Sequence, residues 1–99
     1  MKPYELMYIV NPEQDEEIIA ALIEKVNGAI EELGGKVEGV FQTEPWGRRR
    51  LAYPINYQEE GYYVLTHFEV ESKPLDDLER TLKLMEDVWR YMVTRRIQE

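Results

Sequence analysis

The 99-residue sequence predicts a single α+β domain whose elements follow the order βαββαβ. Two segments carry apolar residues at helical spacing, and the others are extended, with alternating or β-branched and aromatic residues. The chain can bury one modest core and contains no linker or repeat, so we expect one domain over residues 1–99. This order predicts the ferredoxin-like fold, a four-stranded antiparallel sheet with two helices on one face.

The N-terminal part of the chain is predicted to form one strand and one helix. Tyr4–Val10 is rich in β-branched and aromatic residues, and Asn11-Pro12 ends it. Asp15 is a candidate N-cap for the helix that follows. The apolar stripe of this helix comprises Ile19, Leu22, Ile23, Val26, Ile30 and Leu33. Gly34-Gly35 is predicted to end the helix in a left-handed conformation.

The second strand is interrupted by turn-forming residues. Lys36–Glu44 alternates and is predicted to be extended. Its two alternating sets are Val37, Gly39 and Phe41, and Glu38, Val40 and Gln42. Pro45 and Gly47 interrupt it, and Arg50–Ile55 resumes in extended form. Because Pro54 cannot donate a ladder hydrogen bond, this strand is predicted to lie at a sheet edge.

The C-terminal part is predicted to form a strand, a helix and a strand. Asn56–Glu60 is a polar turn, and Tyr62–Val70 has the strongest strand signal. Ser72-Lys73-Pro74 opens the second helix, and Glu86-Asp87 ends it. Its buried face is formed by Leu75, Leu78, Leu82 and Met85. Val88–Ile97 is the last strand.

This topology leaves the sheet face opposite the helices, the open face, without a covering layer. The first and third strands are central, with the last strand beside the first and the second beside the third. The core-facing set is predicted to be Leu6, Tyr8, Val10, Val64, Phe68, Val70, Tyr91 and Val93. The open face then carries Met7, Ile9, Tyr63, Leu65 and Met92, rimmed by Arg90 and Arg96. Such an apolar patch marks an interaction surface, unless a one-residue slip swaps the faces.

The composition and motifs exclude several classes of protein. No window is long and apolar enough to cross a membrane or to act as a signal peptide, and there is no cysteine, so a cytoplasmic setting without a membrane partner is predicted. His67 is the only histidine and Ser72 the only serine, and no metal-ligand spacing or phosphate-binding glycine loop occurs. We therefore expect no catalytic residue, metal, cofactor or small-molecule substrate.

The charge distribution favours contact with RNA more than the net charge of −8 suggests. The bases gather at Arg48-Arg49-Arg50 and at Arg90, Arg95 and Arg96, whereas acids dominate residues 11–35. A distant acidic helix cannot cancel a basic edge, because the Debye length is about 8 Å at cellular salt. A charged residue on an edge strand discourages aggregation, but this explains one charge better than three consecutive arginines flanked by Trp46 and Tyr53. Arginine forks suit phosphates, and aromatic rings suit bases.

The segment Gly47-Arg48-Arg49-Arg50-Leu51-Ala52-Tyr53-Pro54-Ile55 resembles the signature of the bacterial small-subunit ribosomal protein six family. The resemblance extends through Tyr4-Glu5, Asn11-Pro12, Gly61-Tyr62-Tyr63 and the run 88–93, in order along nearly the whole chain. It implies a ferredoxin-like, non-enzymatic component of the small ribosomal subunit. It further implies binding to the central domain of small-subunit ribosomal RNA, as a heterodimer with ribosomal protein eighteen. Acidic members are known in this family.

Two sets of residues are assigned from the residue pattern and the resemblance together. The RNA-binding set is Lys2, Arg48, Arg49, Arg50, Tyr53, Arg90, Arg95 and Arg96. The partner-protein set is Trp46, Leu51, Met7, Ile9, Tyr63, Leu65 and Met92. Lys2-Pro3 stands where a basic pair is common in the family, and the chain ends at Glu99 without the extension that some members carry, so no tail contact is carried over.

Two other functions fit the residue pattern. A free-standing single-stranded RNA-recognition module shares the βαββαβ order, and Gly61-Tyr62-Tyr63-Val64-Leu65 has a faint likeness to its third-strand motif. However, the residue directly before Gly61 is not basic, and the aromatic residues do not alternate as stacking on the open face requires. The other possibility is a sheet domain that binds only proteins or itself.

Overall fold

The chain folds into two helices and five strands, as seen in a computed structural model that describes residues 1–43, 46–55, 58–71 and 73–96. The elements in order are β1 (Lys2–Val10), α1 (Glu16–Glu32), β2 (Lys36–Phe41), β3 (Gly47–Ile55), β4 (Gln58–Val70), α2 (Leu75–Lys83) and β5 (Val88–Arg95). Within these ranges, neither helix is long and apolar enough to cross a membrane.

The sheet is antiparallel and has the order β2-β4-β1-β5, with β3 also paired to β4. The predicted central and flanking positions are confirmed. The predicted four strands are five, because β4 is 13 residues long and pairs with two short segments in succession. β2 lies along its C-terminal half, from Glu69 to Leu65, and β3 along its N-terminal half, from Tyr63 to Gln58. The predicted second strand is thus a broken edge.

Several predicted element boundaries were wrong or only partly tested. β2 ends at Phe41, before the predicted end, and β3 already begins at Gly47, which was predicted to interrupt the strand. Gln58–Glu60 belongs to β4 and not to a turn, since Glu60 and Gln58 pair with Arg50 and Ile55 of β3. The second helix ends at Lys83, before the expected stop, and Leu84 caps it through backbone hydrogen bonds to Leu82 and Thr81. The predictions made for Glu44, Pro45, Asn56, Ser72 and Ile97 lie outside the described residues.

Helix α1 begins where the sequence predicts but is not capped as expected. Asp15 occupies the N-cap position in an extended conformation, and its side chain makes no capping hydrogen bond. Glu16 and Glu17 still place negative charge at the positive end of the helix dipole. The buried residues of the helix are Ile19, Ile23, Val26 and Ile30, with Leu22 and Leu33 partly buried against the core. The predicted apolar stripe is confirmed.

The core lies between the two helices and one face of the sheet. The fully buried residues of the sheet are Leu6, Tyr8 and Val10 on β1 and Val64 and Phe68 on β4. Leu78 and Leu82 cover them from α2, with Met85 beyond the helix end. On β5, Tyr91 and Val93 pack against this cluster. The predicted sorting of the two faces is confirmed, and the open face is the one without helices.

Tyr8 places a phenol inside this core, and its ionisation should make the protein less stable in alkali. Burial raises the pKa of Tyr8, and the neighbouring Thr66 hydroxyl offsets this only in part. Above about pH 10 the unfolded chain releases this proton while the folded chain keeps it. The free energy of unfolding should therefore fall by about 1.4 kcal/mol per pH unit for this group alone.

The contribution of Tyr8 can be measured by urea unfolding of the wild type and Tyr8→Phe between about pH 9 and pH 12. Tyr8→Phe should show a shallower alkaline loss of stability than the wild type. Tyr53→Phe is the matched control, because Tyr53 is 82% exposed and should keep the wild-type slope. Parallel curves for Tyr8→Phe and the wild type would contradict this account.

Candidate nucleic-acid interface

The three consecutive arginines lie on the edge strand β3, opposite the start of β4. Arg48, Arg49 and Arg50 pair with Tyr62, Gly61 and Glu60. Successive side chains of a strand point to opposite faces. Arg49 lies on the open face, where its guanidinium carbon is 5.6 Å from the centre of the Tyr63 ring. Arg48 therefore lies on the opposite face from Arg49, and the same alternation puts Arg50 on the side of Arg48.

Arg48 is held by the protein on the helix side of the sheet. Its Nη2 donates a hydrogen bond to the carbonyl oxygen of Pro12, at 2.9 Å, in the loop before α1. It also lines a shallow cavity with Glu16 and Tyr62, whose hydroxyl bonds to the Gln42 amide oxygen. This arginine fastens the edge strand to the loop between β1 and α1, so fewer of its donors remain for an external phosphate.

A groove separates the edge strand from the middle of the open face, and we call it the edge groove. Its volume is about 400 Å³, and its lining includes Ile9, Leu51, Tyr53, Ile55, Tyr63 and Arg90. Arg90 pairs with Ile9 in the β1–β5 register, so it approaches the groove from the side opposite β3. Arg90 and Tyr53 thus line the same groove, and Arg49 lies next to it over the Tyr63 ring. The sequence pattern did not predict this arrangement.

The remaining predicted RNA-binding residues lie at the other end of the sheet. Arg95 pairs with Tyr4, and Lys2 pairs with Val70, whereas Arg90 pairs with Ile9. The spacing of residues along a strand puts Arg95 roughly 17 Å from Arg90. The predicted RNA-binding set is therefore two separate groups and not one patch.

Arg96 is engaged within the protein. Its Nε donates to the carbonyl oxygen of Tyr4 at 3.1 Å, and its Nη2 donates to that of Phe68 at 3.4 Å. The same Nη2 forms a short ion pair with the carboxylate of Glu38 on β2. The Arg96 side chain is only 20% exposed. Starting just beyond β5, this arginine spans β1 and β4 to reach β2, so its donors are directed into the sheet and away from solvent.

The exposed apolar residues of the open face differ from the predicted set, because Leu51 and Leu65 are buried and Phe41 is exposed. Met7, Ile9 and Tyr63 are half-buried, and Met92 is 61% exposed. Leu51 and Leu65 were expected to be available to a partner, but both are buried, at 9% and 8% exposure. Trp46 precedes β3 and is half-buried.

Phe41 was missed as a residue of the open face. It is 44% exposed, and its ring meets His67 edge-on at 5.0 Å between centroids. The predicted alternation of Lys36–Glu44 grouped it with Val37, but the pairing shifts register between Val37 and Gly39. Past this irregularity Val40 packs against the core and Phe41 turns outward. The sequence signal that could have indicated this irregularity is Gly39, because a glycine inside a strand often marks a bulge.

Free positive charge lies at the end of the sheet that carries the edge groove, and also at Arg95 at the other end. Among the described residues, Arg49, Arg50 and Arg90 take part in no salt bridge, whereas Arg80 and Arg96 pair with Asp77 and Glu38. Over the same residues, no group of three or more acids or histidines is placed to hold a metal ion. The interface therefore offers guanidinium donors, aromatic rings and apolar side chains, which suit binding to an anionic, partly aromatic polymer.

The fold and this surface define a small α+β binding domain, and comparison with known proteins identifies its family. A model described as Ribosomal protein S6 matches residues 3–95. Small ribosomal subunit protein bS6 of Clostridium novyi (strain NT) is 47% identical over 93 residues, which cover 94% of this chain and 95% of the relative. The bS6 protein of Desulforamulus reducens is 43% identical over 95 residues, 96% of this chain and 97% of the relative. The chain belongs to the ribosomal protein S6 family.

Solved structures agree with this assignment. The crystal structure of 30S ribosomal protein S6 from Thermotoga maritima has a TM-score of 0.87 and 32% identity, covering 96% of this chain and 87% of that one. The P2 domain of the chemotaxis kinase CheA, also from Thermotoga maritima, has a TM-score of 0.64 at 16% identity. The second likeness shows the fold alone, which hosts unrelated functions.

Proposed function

We propose that this protein is a structural, non-enzymatic component of the small ribosomal subunit, in the cytoplasm, and that it binds small-subunit ribosomal RNA. Its relatives carry the name of a small ribosomal subunit protein. The observation that carries RNA binding is the placement of Arg49 and Arg90 at one end of the open face, with Arg50 next to Arg49 on the same edge strand; none of the three forms a salt bridge among the described residues. Guanidiniums on a firm edge strand would position the phosphate backbone without reading base sequence.

We further propose that ribosomal protein eighteen binds beside this RNA, against the apolar middle of the open face. Met7, Met92 and Phe41 lie in adjacent register positions around the buried Leu65. Exposed methionine and aromatic side chains are typical of interaction surfaces, and they would be desolvated by an apolar partner. In this arrangement the partner contacts the centre of the face while the RNA contacts the cationic end.

The acidic balance of the chain is compatible with this proposal. The acids Glu16 and Glu17 begin α1, on the side of the sheet away from the open face. Charges separated by more than about one Debye length are largely screened at cellular salt. The helix side would therefore repel RNA locally and leave the β3 end as the preferred contact, which helps to orient the protein on the RNA.

Replacing Arg49 and Arg50 together with glutamine tests the RNA contact. With ribosomal protein eighteen present, affinity for a central-domain fragment of small-subunit ribosomal RNA should fall about 10- to 100-fold at moderate salt. The slope of log affinity against log salt should flatten by about one for each lost phosphate contact. Filter binding over a salt series measures both quantities.

Arg80→Gln is the matched control for this double variant. It removes one exposed arginine from α2, where Arg80 is 72% exposed and pairs with Asp77. We expect its affinity and salt slope to match the wild type. A folded double variant with unchanged affinity and slope would overturn the assignment of these arginines to RNA. Tight binding of short single strands by the wild type without the partner would instead favour a free-standing RNA-recognition module.

A further inference from the structure

The floor of the edge groove depends on the absence of a side chain at Gly61. A Cβ at that position would lie 2.6 Å from Ile9 Cγ2 and 3.0 Å from Leu51 Cδ2. Ile9 and Leu51 therefore close over the glycine from the two neighbouring strands. Leu51 is held there at 9% exposure, which makes the floor apolar and closely packed.

Aromatic rings form part of the lining of the edge groove above this floor. Tyr53 contributes to the groove and is 82% exposed, an unusual degree of exposure for a large ring. Tyr63 also lines the groove, and the Arg49 guanidinium lies over its ring. An aromatic ligand could thus stack on a tyrosine and touch apolar side chains beneath it.

Positive charge flanks the groove on two sides. Arg90 lines the groove from β5, and Arg49 of β3 lies over the ring of Tyr63, which lines it; neither arginine forms a salt bridge among the described residues. No carboxylate lines the groove within those same residues. A ligand that fits must therefore combine a flat apolar face with negative charge on its flanks, and a purely apolar protein side chain would leave both guanidiniums unused.

We propose that the edge groove receives one unpaired nucleobase of the bound RNA, with its neighbouring phosphates held by Arg49 and Arg90. This inference rests on the proposed RNA-binding function and adds a base-stacking subsite to it. The base stacks on Tyr53 above the floor made by Ile9 and Leu51. Every base has such a face, so the subsite selects single-stranded structure and not a particular sequence.

The probes for this subsite are a short single-stranded polyadenylate RNA and its abasic ribose-phosphate counterpart. During titration of the full chain, followed by nuclear magnetic resonance, the methyl signals of Ile9 and Leu51 should move upfield with polyadenylate only. Tyr53→Ala should weaken polyadenylate binding about 5- to 100-fold, since stacking of one base on an aromatic side chain has that magnitude. Its salt dependence should be unchanged, because no charge is removed.

Two matched variants complete the experiment. Tyr53→Phe keeps the ring and should bind polyadenylate like the wild type. Arg90→Gln should weaken binding, whereas Arg95→Gln, on the same strand but at its other end, should not alter the groove signals. Equal binding of the two probes, or unmoved Ile9 and Leu51 methyl signals, would overturn the subsite.

The outcomes also separate this proposal from the proposed function. If the wild type binds the ribosomal RNA with its arginine dependence but shows no preference for polyadenylate over the abasic chain, only the nucleobase subsite fails. If Tyr53→Ala weakens binding of ribosomal protein eighteen and leaves both RNA probes unaffected, the groove is a protein-docking site and the subsite is again overturned.

Discussion

Replacing Gly47 with alanine should lower the free energy of unfolding by about 2–4 kcal/mol, because two penalties coincide at this residue. Gly47 has a φ of +86°, where an added Cβ costs about 1–2 kcal/mol. That Cβ would also lie 2.5 Å from the carbonyl oxygen of Gln42. A backbone oxygen cannot rotate away as the end of a side chain can, so the start of β3 must shift. Equilibrium unfolding in urea measures the loss.

Gly34→Ala is the matched control for this prediction. Gly34 also has a φ of +86°, but a Cβ there would meet nothing within 4 Å. Its substitution should cost only the conformational penalty of about 1–2 kcal/mol. The difference between the two variants therefore isolates the contact with Gln42. Equal losses would show that the corner before β3 relaxes freely and that Gly47 is needed for its backbone angle alone.

The strand order and the two sheet faces could be predicted because both follow from short-range patterns. Alternation along β1 places Leu6, Tyr8 and Val10 on one face, and all three are fully buried. The βαββαβ order then fixes which strands are central. These rules need only neighbouring residues and the order of elements. They were sufficient to predict that the arginines of β3 lie at an edge beside an open face.

The details that the sequence could not predict depend on contacts between distant residues. The break between β2 and β3 requires a β4 long enough to pair with both, and the register shift after Val37 reverses the outward set of β2. The burial of Leu51 on an otherwise open face depends on Gly61, ten positions away in the sequence, as their close approach shows. Alternation predicts the sheet face on which a side chain lies, but it does not predict how deeply neighbouring side chains bury it there.

Arg96 shows the same limit for the candidate site. From its charge and the family resemblance, Arg96 is predicted to contact phosphate. Its actual partner, Glu38, is 58 positions away, and periodicity carries no information about such a pair. The structure therefore favours a stabilising role, in which Arg96 ties β5 to β2 across the two central strands.

We expect Arg96→Gln to lower the free energy of unfolding by about 2–3 kcal/mol, because charge-assisted hydrogen bonds to Tyr4, Phe68 and Glu38 are lost together. The Glu38 carboxylate is 37% exposed, so water will offset part of the lost ion pair. In a double-mutant cycle with Glu38→Gln, the two substitutions should be less than additive, since each removes the same ion pair. Urea unfolding of the four proteins gives the coupling.

The neighbouring Arg95 provides the control that distinguishes stability from RNA binding. It is exposed, faces Tyr4 in the strand register and forms no salt bridge among the described residues, so Arg95→Gln should change stability by less than about 0.5 kcal/mol. Under conditions where the protein stays folded, Arg96→Gln should keep the wild-type salt slope for ribosomal RNA, because its charge is already neutralised by Glu38. If Arg96→Gln is as stable as the wild type and has a flatter salt slope, Arg96 contacts phosphate and the ion pair with Glu38 opens when RNA binds.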